Sequence, residues 1–162
     1  MHTYPSKSSN SVKVMTVGGI LILIAVLISI VFTKQDYSLL IAIILGAIVL
    51  TFFIYFFSNS LKEVTVENKT LILKKNIGKI EIDFSEIKSI KTLQPSAIIM
   101  TTGSKGFFGF IGTTMDGSVS FVKNRSQMVL LTTTSNKKYI FSCDNPKDLV
   151  ETVSIGNKLE AI

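Results

Sequence analysis

The sequence predicts a two-helix transmembrane hairpin followed by a mainly β domain. That domain is read as a bent antiparallel sheet or partly open barrel of about seven strands with a C-terminal capping helix. Three observations carry this reading. Two stretches of nineteen residues, 14–32 and 39–57, contain no charged side chain. From residue 61 the texture changes to short runs of β-formers separated by turn residues. The last run gives way to an amphipathic helical pattern behind a capping sequence. The chain thus divides into a cytoplasmic N-terminal tail (1–13), the hairpin (14–57), the β domain (61–155) and a C-terminal tail (156–162).

As a helix, nineteen residues extend about 28 Å, close to the ~30 Å hydrocarbon thickness of a bilayer. A buried strand would be far shorter. A cleaved signal peptide is disfavoured because 29–38 lacks a small-residue cleavage site and a second apolar run follows six residues later. Segment 33–38 is too short to recross a bilayer, so the helices must be antiparallel neighbours. Lys7 and Lys13 precede the first span, and Lys62, Lys69, Lys74 and Lys75 follow the second; Lys34 alone marks the turn. This asymmetry puts both termini in the cytoplasm of a multi-pass plasma-membrane protein. Phe32 and Tyr37 are then expected at the outer interface, and Phe52, Phe53, Tyr55, Phe56 and Phe57 at the inner one. Ala25 and Ser29 on the first helix, and Ala42 and Gly46 on the second, sit at matching depths and are expected to face each other. Neither span holds an ionisable residue, which argues against an ion or proton pathway.

Within the β domain, Val64 and Val66 share a face, and so do Leu71 and Leu73 after the turn Glu67-Asn68-Lys69. Ile80, Ile82 and Phe84 point inward while Glu81 and Asp83 point outward, a clean period of two. Further strands are expected at 86–93 (ended by Pro95), 97–102, 119–122, 128–133 and 138–142. Asp116-Gly117 reads as a hairpin turn. Asn145 is placed as the N-cap of the final helix, Pro146 at its first position and Asp148 where a carboxylate can reach back. Leu149, Val150 and Val153 form the apolar stripe, and Gly156 is read as the stop.

The net charge of +6 includes +4 from residue 58 onward, with fourteen basic and ten acidic residues there. That is a mild excess suited to solubility or to an anionic surface, without the clustering of a nucleic-acid binder. Gly103, Gly106, Gly109 and Gly112 recur every third residue, with Lys105, Phe107, Phe108 and Phe110 between them. Two readings stand: a flexible hairpin whose backbone N–H groups bind phosphate or whose phenylalanines, Phe107 and Phe108 among them, dip into the bilayer interface beside Lys105, or glycine bends whose phenylalanines fill the core. The stretch lacks the Gly-Lys-Ser/Thr of a P-loop. Lys74, Lys75 and Lys79 have the same two readings, as lipid headgroup contacts or as charges that protect a sheet edge. The one cysteine, Cys143, reads as a buried structural thiol, and the one histidine, His2, falls in a tail expected to be disordered. With no histidine beside a nucleophile, the sequence points away from an enzyme, and no cofactor or metal is expected.

The run TGSKGFFGFIG at 102–112, then DGSVSFV, NRSQMVLLTT and KKYIFSCDNPKDLVETV, resembles the bacterial pleckstrin-homology-like (PH-like) domain family over about 61–155. The resemblance implies a strongly bent seven-stranded sheet capped by a C-terminal helix, with no catalytic activity and no established ligand. The expected function is a membrane-anchored binding or scaffolding module for a protein partner. The alternative is a module that reads anionic headgroups, with membrane lipids as partners.

Overall fold

The computed structural model describes residues 1–32, 38–94 and 99–158. The expected turn at 33–38 with Tyr37, the strand end at Pro95, the start of the strand at 97–102 and the end of the C-terminal tail lie largely or wholly outside these. The two apolar stretches form helices α1 (Asn10–Phe32) and α2 (Ser38–Asn59). Both are long and apolar enough to cross a membrane, and the most apolar stretch of each contains no buried residue. A helix on a soluble core buries at least one stripe. Here Leu21, Ile22, Leu39 and Leu50 are all 60% exposed or more, a surface suited to lipid rather than water.

The N-terminal residues contradict the expected disorder. His2–Pro5 form strand β1, which pairs antiparallel with β2 (Leu61–Glu67), Tyr4 opposite Val64. Tyr4 is buried in the core, and its hydroxyl donates to Asp148 Oδ2 at 2.8 Å. Its burial raises the phenol pKa. Lys7 pairs with Asp144 at 2.6 Å, and the Asp144 N–H donates to the Pro5 carbonyl. A strand this short has too little pattern to register in sequence. Pro5 is tolerated because β1 is an edge strand.

β1, β2, β3 (Thr70–Lys75) and β4 (Lys79–Asp83) form a four-stranded sheet in that order. Asn68 and Lys69 both adopt left-handed backbone (φ 47° and 61°), the two-residue turn that suits a right-twisted hairpin. A short 3-10 turn at Phe84–Glu86 leads into the second sheet. This sheet contains β5 (Ile87–Leu93), β6 (Met100–Lys105), β7 (Phe110–Thr114), β8 (Val119–Val122), β9 (Met128–Thr133) and β10 (Lys138–Ser142). Its order is β5-β9-β10-β8-β7-β6, with β10 parallel to β8. The fold is therefore mainly β with a C-terminal helix, as expected, but its strands form two sheets. Ten strands occur among the described residues, against about seven expected.

The alternation read from sequence builds the core. Val64, Leu71, Leu73, Ile82 and Phe84 are buried together with Val129, Leu131 and Phe141 from the second sheet. Helix α3 (Pro146–Lys158) packs over β5, β9 and the 3-10 turn. It buries Leu149 and Val153 completely and Val150 in part. Pro146 is the first helical residue, and the carbonyl of Asn145 (φ 57°) accepts from the Leu149 N–H. Gly156 is not the stop: the helix runs on to Lys158, and a Cβ at Gly156 would collide with the buried ring of Phe84. The glycine lets helix and ring approach closely.

Candidate functional site

The candidate site is the seam where the β domain meets the two apolar helices. Its centre is the β6–β7 hairpin, which carries the glycine and phenylalanine repeat. Gly103 and Gly112 face each other across this hairpin, and a Cβ on either would strike the opposite backbone. The Ser104 hydroxyl donates to the Phe107 carbonyl at 2.6 Å, and the Gly106 N–H donates to the Gly109 carbonyl at 2.9 Å. The tip is thereby fixed, with Phe108 in left-handed backbone (φ 57°).

Neither sequence reading of this loop describes it fully. Phe107 lies over Gly19 of α1, where any side chain would meet its ring, and packs edge-on against Phe53 of α2 at 5.1 Å between centroids. Phe108 packs against Phe53 and Phe57 at 5.8 and 5.9 Å, and also against the domain core. Its N–H donates to Thr16 Oγ1 at 2.9 Å, and Ser60 Oγ donates to its carbonyl at 3.2 Å. The aromatic cluster expected at the inner interface thus divides. Phe53, Phe56 and a half-exposed Phe57 touch the domain, while Phe52 and Tyr55 are exposed.

A second hairpin grips the end of α2. The Asn76 side chain donates to the Phe57 carbonyl at 2.9 Å, and the Ile77 N–H donates to the Ser58 carbonyl at 3.0 Å. Lys75 Nζ donates to Asn59 Oδ1 at 3.0 Å. Lys74 is paired with Glu63 at 3.0 Å and Lys79 with Glu81. Of the basic residues singled out in sequence, two therefore have carboxylate partners and one holds a helix end. Lys105 instead lines a cavity of about 390 Å³ beside the hairpin, with Leu23, Val49, Phe52 and Phe53 among its walls.

The small-residue contact expected between the helices is not formed at Gly46, where a Cβ would meet nothing within 4 Å. Ser29 Oγ donates to the Val26 carbonyl of its own helix. Ala42 lines a groove between the helices with Leu27, Ile28 and Val31. The close approach occurs instead at Gly19, against the domain. Sequence reasoning missed Thr16, Gly19 and Lys123 in this seam. Gly18-Gly19 was the available signal, since glycine in a helix interior is costly and asks for a packing reason.

Two titratable groups lie in other settings. Cys143 is buried, and desolvation pushes its thiol up to about 12, so it is inert at neutral pH. Asp116 takes hydrogen bonds from Thr114 (2.6 Å) and Ser118 (2.8 Å) and faces Lys138, and these partners lower its pKa to about 2. Both roles are structural. Among the described residues, no three His, Cys, Asp or Glu side chains are grouped to hold a metal ion.

Residues 62–155, more than half of the chain, match the family model described as bacterial PH domain. No curated protein and no solved structure matches the chain. The matched segment spans β2 to most of α3, and the β6–β7 hairpin that seats the domain on the helices lies inside it. The chain belongs to the bacterial PH domain family.

Proposed function

We propose that this chain is a non-enzymatic, membrane-anchored PH-like module that presents its β domain to a protein partner at the cytoplasmic face of the plasma membrane. The observation that carries this reading is the way the domain is built into its anchor. β1 precedes α1 and β2 follows α2, yet they pair, so the flanks of the helical hairpin lie side by side. Phe107 and Phe108 then fix the domain against both helices. An anchor tied in this way sets orientation as well as local concentration, and both favour capture of a partner in the same membrane. The lysines at 7, 13, 62, 74 and 75 support cytoplasmic termini. The buried Cys143 thiol and the hydrogen-bonded Asp116 support a non-catalytic role.

A second reading, recognition of anionic lipid, is favoured by Lys105 lining the apolar cavity beside α1 and α2. Both readings are tested on the whole chain, because a fragment from residue 61 would lack β1 and expose Phe107 and Phe108. The chain is expected to stay in the membrane pellet after an alkaline carbonate wash. In mild detergent it should co-purify with a discrete protein whatever the headgroup composition of added lipid. Release by carbonate would contradict the anchor. Copurification that depends on acidic lipid and on Lys105 would favour the second reading.

A further inference from the structure

A second cleft lies on the seam, between the N-terminal arm, the bases of both helices and the loop after β8. It has a volume of about 260 Å³, and its walls include Ser8, Lys13, Thr16 and Lys123, with Val17 and Phe57 on the apolar side. No carboxylate lines it. Among the described residues neither Lys13 nor Lys123 has an acidic partner. Lys123 is only partly exposed, and its Nζ donates to the Leu61 carbonyl at 3.0 Å, which leaves two of its three N–H groups uncommitted. Two cations lining one cleft without a counter-charge call for an anion.

The depth of the cleft identifies the anion's source. Lys13 is followed at once by the uncharged run of α1, so it stands where a helix leaves the headgroup layer. Val17, four residues further along α1, is 57% exposed and faces the same cleft, as does Phe57 of α2. A site with cations at headgroup depth and an apolar wall continuing along two helices fits a molecule with a charged head and hydrocarbon tails. A free phosphate would use the cations and leave the wall unsatisfied. We propose that this cleft binds the phosphate of an anionic phospholipid, with Lys13 and Lys123 as its cations and Val17 and Phe57 meeting the first part of the acyl chain. Burial already lowers the pKa of Lys123, and a bound phosphate would offset that by favouring the charged ammonium. The site differs from the Lys105 cavity, and it rests on the helices entering a membrane.

Delipidated whole chain in a non-ionic detergent tests the assignment by thermal shift. The probes are short-chain phosphatidylglycerol, short-chain phosphatidylcholine and inorganic phosphate. Phosphatidylglycerol is expected to stabilise the protein, the other two far less. Lys13→Gln and Lys123→Gln should each weaken the phosphatidylglycerol response about fivefold, while Lys79→Gln, outside the cleft, should leave it unchanged. Lys123→Gln also removes a bond to Leu61 and could impair folding; Lys13→Gln, an exposed side chain, then decides alone. An unchanged response in Lys13→Gln, or an equal response to inorganic phosphate, would overturn the proposal. Both variants should still resist carbonate extraction, so a failed lipid site is distinguishable from a failed anchor.

Discussion

Asp116 shows how much a single side chain adds beyond the turn that sequence reveals. The Asp116-Gly117 pair announces a hairpin, and Gly117 does take positive φ (76°) between β7 and β8. The partners of the carboxylate, Thr114, Ser118 and Lys138, come from the turn itself and from β10, the last of these 22 residues away. Folding lowers its pKa from 3.8 to about 2, so the unfolded chain binds the proton more tightly. Its contribution to stability is therefore complete above pH 4 and is lost as the pH falls from there through about 2. The side chain is half exposed, so screening keeps the effect to about 1 kcal/mol or less. Asp116→Asn is expected to lower the melting temperature of the whole chain at pH 7 and to melt with the wild type at pH 2. A gap that persisted at low pH would rule out the charge as its origin.

Gly156 makes the corresponding point for an element. It follows Val153, the last residue of the buried apolar stripe of α3, by three residues and so reads as a C-terminal stop. In the fold it lies inside the helix against Phe84, which is 3% exposed and has no room to move. Gly156→Ala should cost about 1–3 kcal/mol through overpacking, despite the roughly 1 kcal/mol that alanine gains in a helix. Gly46→Ala in α2, where the added methyl meets open space, should be neutral or stabilising. Thermal unfolding of both variants in detergent checks the pair, and equal effects would contradict the packing described. Elements with a long period-two or uniformly apolar pattern, such as β4 and the two helices, were legible in sequence. β1 was not, because four residues make too short a pattern and its partner strand lies about 60 residues away. β7 was hidden by Gly112, and the parallel pairing of β8 with β10 has no local signature at all.

For the whole molecule, hydropathy and turn chemistry together disclosed an apolar hairpin followed by a mainly β domain, and the resemblance of its motifs implied the PH-like family. They did not disclose that the two parts are packed together. The glycine and phenylalanine repeat offered a choice between core and bilayer, whereas the structure places it between domain and helices. That contact depends on Gly19 and Phe53, which are distant in sequence from Phe107 and individually ordinary. The domain is held in one orientation on its anchor and does not swing on a free linker, since Leu61 begins β2 two residues after α2 ends.

The most direct measurement is a crosslink in native membranes. With Cys143 replaced by alanine, Gly19→Cys and Phe107→Cys put two thiols at the centre of the seam, within reach of a short bifunctional reagent. The packed seam predicts rapid intramolecular crosslinking without detergent, and little for a control pair of Gly18→Cys, where a side chain meets open space, with Met115→Cys on the exposed β7–β8 turn. Equal rates for the two pairs, or recovery of the chain in the aqueous fraction, would contradict it.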